Sequence, residues 1–425
     1  MVIFLIAFVL LLVIGVPISI SIGASAVLGC LSLGYPLVVI GQKMVSGIDS
    51  FLLIAVPLFI LAGNLMNAGK ITEKIFDTAK ELVGWIPGGL GQVNILASVV
   101  FAGMSGSAVA DAAGLGTIEI KAMNENGFDN DFSCCVTAAS STMGPIIPPS
   151  IPLVVYATVS GASVGALFMA GIVPGIVMAL LMMVVVTIYA IKRHYPRTKF
   201  PTFHEFGHAL KEGFLPLMAP IILLVGIYGG VFTPTESAAI VVLYSLFLDV
   251  VVYRELSLKK FIAILKETVR DSLTIALIIA GATFFGYVAT RAKIPQMILT
   301  SMTSVVSSKV TLLLIINVFL LIVGCFLETA SAITIVVPLI LPLLTAYNIN
   351  LTQFGIIMVL NLMIGLLTPP FGLVLFVISK IGHISIGRFS RALVPWLGAL
   401  LAALLLVTFI PQLSLWFPTM LGMSV

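Results

Sequence analysis

Gly144-Pro145-Ile146-Ile147-Pro148-Pro149 and Gly365-Leu366-Leu367-Thr368-Pro369-Pro370 are two versions of one element, 221 residues apart. Each lies within apolar sequence. Proline removes a backbone donor and disfavours helix at the residue before it, so two successive prolines must break a helix. In lipid, freed backbone groups cost several kcal/mol each, and such a break survives only against protein or a water-filled cavity. Paired breaks at matching places in two halves point to the midplane site of a secondary transporter.

Further matches spread outward from this pair. Gly103 and Gly324, and Pro174 and Pro395 within Ile172–Met183 and Leu393–Leu404, keep the same spacing. Lys70-Ile71 and Lys293-Ile294 are 223 apart, and Pro17 in Gly-Val-Pro-Ile-Ser matches Pro234 in Thr-Pro-Thr-Glu-Ser more loosely. Gly- and Leu-rich membrane chains align easily by chance, but shared order and near-constant spacing predict an internal repeat. The first unit is residues 1–210, with a re-entrant hairpin over about 92–122 and a broken helix over about 133–160. The second is 211–425, with a hairpin over about 311–346 and a broken helix over about 354–380.

Composition sets the class. Hydrophobic residues make up 60% of the 425-residue chain and charged residues 9%, against about 25% charged in soluble domains. Runs such as Leu52–Leu65, Leu167–Ile191, Leu312–Val323 and Ala399–Ile410 carry no charge. Several approach or pass the ~20 residues that cross a bilayer. The expectation is an all-α polytopic membrane protein in the lipid bilayer, with no soluble domain and no nucleic-acid partner. Cys30, Cys134, Cys135 and Cys325 lack metal-ligand spacing and read as reduced, buried small hydrophobes. No basic segment precedes the first apolar run, so no cleavable signal is expected.

Basic residues orient the chain. With Lys70, Lys74 and Lys80 placed inside, the trace leaves only Lys43, Arg291, Lys293 and Lys309 of the 21 Lys and Arg outside. That is the asymmetry of the positive-inside rule. The halves then come out inverted, one hairpin enters from each side, and both termini lie outside. Tyr253–Arg270 reads as an amphipathic arm at the interface.

The polar residues in the apolar elements carry the chemistry. Hairpin one offers Gly103, Ser105 and Ser107 at its tip, facing Ser141, Thr142, Gly144 and Pro145 of the first broken helix. Hard cations take oxygen ligands, often from unwound helix ends, so these form a first candidate sodium site. Hairpin two offers Gly324, Glu328, Thr329 and Ser331, facing Gly365, Thr368 and Pro369, as a second. Small Ser and Gly residues also serve plain helix contacts. Glu328 is an ionisable residue in an apolar stretch, costing about 2.5–3.5 kcal/mol or more, and is a functional candidate by default. It could ligand a cation, carry a proton or cap a helix. Asp111, Ser150, Pro149 and Pro370 are the substrate-facing candidates. Glu119, beside Lys121, is expected in solvent, and Glu236 is expected to cap a helix.

Two motifs point elsewhere. His204-Glu205-Phe206-Gly207-His208 fits His-Glu-x-x-His, the zinc-protease pattern, with Asp249 a nominal third ligand. It is read here as lying in a polar, basic loop after Pro201, without a counterpart in the repeat. Gly103-Met104-Ser105-Gly106 resembles the Gly-x-Ser-Gly of rhomboid serine proteases. That chemistry needs a histidine base within reach, and all four histidines lie in or near loops.

Taken together, Gly103–Ser107 with Asp111, Gly144–Pro149 with Ser150, Gly229–Thr235 with Glu236-Ser237-Ala238-Ala239, and Thr368-Pro369-Pro370 resemble the signatures of the large transmembrane subunit of TRAP (tripartite ATP-independent periplasmic) transporters, the DctM/SiaM-like family. The resemblance spans nearly the whole chain. It implies scaffold and transport domains working as an elevator, sodium as coupling ion and no other cofactor. It also implies a small four-helix membrane subunit and a periplasmic substrate-binding protein delivering a carboxylate of the C4-dicarboxylate or sialic acid type. The chain starts at Met1 without such helices, so the small subunit is expected as a separate polypeptide, and the location as the bacterial inner membrane. The alternatives are a stand-alone sodium–anion symporter, an intramembrane zinc protease and a purely structural membrane scaffold.

Overall fold

The computed structural model describes residues 3–68, 70–370 and 372–423. Val2 of the first apolar run, the chain ends assigned to the outside, and Phe371 beside the second Pro-Pro pair lie outside the described residues. The described chain is helical. It opens with α1 (Ile3–Val13), α2 (Ile18–Ser32), α3 (Val38–Ile48), α4 (Ala55–Ala68) and α5 (Ile71–Val83). Then come α6 (Gly89–Ser105), α7 (Ala108–Ala113), α8 (Leu115–Glu125), α9 (Asn130–Ser141), α10 (Ile151–Ser160) and α11 (Val164–Arg193). The second half holds α12 (Phe203–Tyr228), α13 (Pro234–Phe247), α14 (Leu258–Arg291), α15 (Ile294–Val305), α16 (Lys309–Phe326) and α17 (Thr329–Ala346). It closes with α18 (Leu351–Gly365), α19 (Leu373–Ile381), α20 (Ile386–Phe409) and α21 (Gln412–Met420). Eight described helical segments are long and apolar enough to cross a membrane.

The interruptions fall where the prolines and small residues stand. α9 stops at Ser141 and α10 starts at Ile151, with Pro145, Pro148 and Pro149 between them. α18 stops at Gly365 and α19 starts at Leu373, across Pro369 and Pro370. Both Pro-Pro bonds are cis. The turn between α6 and α7 rests on Gly106 with φ +60° and on Ser107, whose hydroxyl caps α7 by accepting from Ala110 N. The turn between α16 and α17 uses Leu327 and Glu328, and the Glu328 carboxylate caps α17. Ser107 and Glu328 are again 221 apart.

Two expectations need correction. The arm 253–270 is not a separate surface helix. From Leu258 it is the first half of α14, which runs unbroken for 34 residues and so spans about 51 Å. Ser257 caps its start, and no proline or glycine interrupts it before Gly281. Nor does His204–His208 lie in a loop. It occupies the first turns of α12, because Thr202 and Glu205 form a reciprocal capping box that starts the helix at Phe203. Glu236 caps α13 in the same way with Thr233, as expected. Cys30, Cys134 and Cys135 are buried, while Cys325 is only partly so; all four are free thiols.

α14 packs against α2, α3, α4 and α17, and α13 packs on α4. Inside this layer lie helices buried along nearly their full length: α9, α10 and α18. α10 and α18 are mostly apolar and suit such a position, and the buried Thr137 and Ser140 of α9 are hydrogen-bonded. Glycine contacts set the closest approaches. A Cβ on Gly365 would stand 2.4 Å from the carbonyl carbon of Gly324, so α16 and α18 meet backbone to backbone. The halves are also tied by Arg388, whose Nε lies 2.8 Å from Asp131 Oδ2, joining α20 to α9. Outward-facing Ile, Leu, Val and Phe side chains on α1, α3, α11 and α16 remain exposed, as a lipid-facing surface requires.

Candidate functional site

The two capped turns converge. Ser107 and Glu328 line one cavity of about 440 Å³, together with Ser105, Asn64, Asn67, Glu267 and Asp271. A smaller space of about 90 Å³ continues between the same turns, walled by Gly106, Ser107, Pro145, Glu328, Thr329 and Leu366. The wall opposite the turns is α4 and α14, pinned by Asn64 Nδ2 donating to Thr268 Oγ1 at 3.2 Å.

The first predicted cation set comes together. A Cβ on Gly144 would lie 3.3 Å from the Ser107 carbonyl oxygen and 3.4 Å from the Ser141 carbonyl oxygen. One on Gly106 would lie 2.6 Å from the Pro149 oxygen. The α6–α7 turn thus packs closely on the broken segment between α9 and α10. The Ser141 and Thr142 hydroxyls donate back to Ala138 O and Ala139 O of their own helix. Gly103 packs on Pro220. Ser150 is buried and caps α10, accepting from Leu153 N while donating to Pro145 O.

The second set is brought together only in part. Gly324 touches Gly365, and Glu328 Oε2 accepts from Ser331 N at 3.2 Å and Ser331 Oγ at 3.4 Å. Thr329 joins them along the smaller cavity. Thr368 stands apart: its hydroxyl donates to Ile364 O at 2.8 Å. Pro369 and Pro370 are exposed. None of these three lines either cavity, because the chain reaches the surface only after the buried Leu366 and Leu367.

Asp111 and Glu119 are placed differently from the sequence reading. Asp111 is only 1% exposed and does not line the cavity. Glu119 is not solvated: it is 1% exposed and accepts from Asn94 Nδ2 at 2.6 Å. α8 packs on α6 and α9, so its inner face is buried although Lys121 on the outer face meets water. Residues the sequence reading passed over also line the cavity. Asn64 and Asn67, three apart on an otherwise apolar helix, share one face and were a readable signal. Glu267 lies within the apparent interfacial arm, and Asp271 directly follows it.

The protease motifs find no support. Among the described residues no group of three or more His, Cys, Asp or Glu side chains could hold a metal ion, so Asp249 completes no set. Glu205 is occupied in its cap, accepting from Thr202 N at 2.7 Å and Thr202 Oγ1 at 2.8 Å. His208 lies 3.9 Å from Glu212.

A polytopic helical membrane protein with interrupted helices around an inner polar cavity belongs to the class of membrane transport proteins. The relatives agree with this. Residues 5–413 match the model of the tripartite ATP-independent periplasmic transporter, DctM component, and the chain belongs to that family, the large permeases of TRAP transporters. It is a multi-pass protein of the bacterial inner membrane. It is 46% identical to the sialic acid TRAP transporter large permease protein SiaM of Vibrio cholerae over 89% of this chain and 88% of that one. It is 36% identical to the C4-dicarboxylate TRAP transporter large permease protein DctM of the same organism, over 97% and 96%. The fold also resembles the YdaH transporter of Alcanivorax borkumensis, with TM-score 0.65 at 14% identity over 87% of this chain and 86% of that one. These relatives are named as transporter components and not as enzymes.

Proposed function

We propose that this chain is the carrier subunit of a sodium-coupled importer of small carboxylates, of the sialic acid or C4-dicarboxylate type, fed by a periplasmic binding protein. The observation behind this is that Ser107 and Glu328, on capped turns far apart in sequence, line one cavity. In this reading residues 1–210 and 211–425 are inverted repeats. Each contributes a re-entrant hairpin (α6–α8 and α16–α17) and a broken helix (α9–α10 and α18–α19). The hairpins and broken helices move as a transport domain against a scaffold that includes α4, α13 and α14, as an elevator. Sodium is held by carbonyl oxygens near Ser107, Ser141 and Gly144, and by the first turn of α17 near Glu328. The partners are a small four-helix membrane subunit and the binding protein.

Uptake into proteoliposomes tests this. The chain is reconstituted with its small subunit and offered radiolabelled sialic acid or succinate, with and without a sodium gradient and with and without binding protein. Uptake that needs all three components supports the reading. Uptake by this chain alone would make it a stand-alone symporter, and uptake indifferent to sodium would remove the coupling.

A further inference from the structure

One polar cluster lies away from the cavity. Asn94 of α6 donates to Glu119 Oε2 at 2.6 Å and to Thr137 Oγ1 at 2.8 Å, and its Oδ1 accepts from Ser140 Oγ at 2.7 Å. Ser98 Oγ donates to Ser140 Oγ at 3.1 Å. Asn94 and Ser140 are fully buried, and Ser98, Asp111, Glu119 and Thr137 are within 1% of it. Two oxygens have no hydrogen-bond partner: Glu119 Oε1 and Asp111 Oδ2.

The surrounding elements supply no counter-charge. α6 has no titratable residue, and α7 has only Asp111. On α9, Asp131 is paired with Arg388 at the surface, and Cys134 and Cys135 are neutral thiols. Lys121 and Glu125 of α8 itself face each other in solvent, and Lys380 of α19, which packs on α7, is exposed. A buried carboxylate with one oxygen unpaired and no cation beside it costs far more than the neutral acid. Direct contacts of 2.6–3.1 Å pack the cluster, and a proton needs no coordination shell.

We propose that Glu119 is a proton-binding site of this carrier, with Oε2 fixed by Asn94 and Oε1 carrying the proton, inside the hairpin whose tip lines the cavity. The proton comes from bulk water and converts one carboxylate to one carboxylic acid. Its loss would leave an unpaired charge next to Asp111 and loosen α8 from α6 and α9. Burial and the unpaired Oε1 carry the assignment and its infrared test, while the uptake readout rests on the sodium-coupled function proposed above.

The test is infrared difference spectroscopy on the purified, detergent-solubilised chain at about pH 7, without substrate, comparing wild type with Glu119→Gln. Expected is a protonated-carboxyl band that Glu119→Gln removes and sodium chloride leaves unchanged. A spectrum without that band overturns the proposal. So does a band that sodium abolishes, which would make the site a cation site. Sodium-driven uptake from about pH 6 to about pH 9 gives a second readout. Wild-type rates should fall with rising pH, towards about tenfold per unit on the alkaline limb, while Glu119→Gln should be flat. Equal pH profiles overturn the proposal. Should Glu119→Gln fail to fold, Glu119→Asp keeps a titrating group and must keep the band.

Discussion

The stretches before and after residue 210 place different chemistry in their polar networks and at their capped turns. Ser140 and Asn361 stand 221 residues apart, on α9 and α18. In the second half Asn361 donates to Asn317 Oδ1 at 2.7 Å, and Asn317 donates to Thr408 Oγ1 at 3.1 Å. That network is neutral throughout. In the first half the corresponding Asn94–Ser140 pair ends on a carboxyl, Glu119. At the turns the order reverses: neutral Ser107 caps α7, and the carboxylate of Glu328 caps α17. The acid of the first network, Glu119, thus lies at the base of its hairpin, and the capping acid Glu328 lies at a hairpin tip.

The largest expected effect is on backbone packing. Gly365→Ala must push its Cβ into the Gly324 backbone and should cost about 1–3 kcal/mol. Gly144→Ala, with neighbours at 3.3 Å and beyond, should cost less. Thermal unfolding in detergent compares them, and equal melting would mean both contacts yield alike. Next come the two networks. Asn94→Ala takes the donor from Glu119 Oε2 and Thr137 Oγ1, while Ser140 keeps Ser98 and Thr137 O, and should cost about 1–3 kcal/mol. Asn317→Ala should sit at the low end of that range. Its partners keep other bonds, Asn361 to Ile357 O and Thr408 to Leu404 O. A larger loss from Asn317→Ala would reverse the comparison.

The caps follow. Glu328→Ala removes cap and charge together, and sodium activation of uptake should weaken by roughly tenfold, equivalent to about 1.4 kcal/mol. Ser107→Ala removes a longer, neutral cap bond of 3.4 Å and should shift sodium activation less. Unchanged sodium activation in both variants would remove the hairpin tips as cation sites. The smallest effect is at the surface link beside α9. The Tyr195 hydroxyl, and then Arg193, hold the Asp129 carboxyl below the usual carboxylate range. A lowered carboxyl stabilises above its ordinary range near about pH 4, and that contribution is lost as pH falls through the lowered value. Tyr195→Phe should shrink this acid-side loss, by under about 0.5 kcal/mol because the pair is exposed. Acid melting curves that coincide with wild type would show that the link contributes nothing.

The sequence by itself determined where helices could not continue and what could start them. Pro148-Pro149 and Pro369-Pro370 lack the N–H groups a helix needs, and the Thr-Pro-Thr-Glu segment at residues 233–236 carries its cap within four residues. The apolar runs fixed the membrane class because their length alone meets the bilayer. These are local properties, legible without a partner. The tertiary structure decided which polar atoms share a space. Glu119 reads as solvated because Lys121 is two residues away, yet a short helix buries whichever face its neighbours cover. Thr368 reads as a ligand because of the prolines beside it, yet the chain turns it away. Ser107 and Glu328 line one cavity only because the turns α6–α7 and α16–α17 pack around the interrupted helices, and no stretch of sequence contains that arrangement.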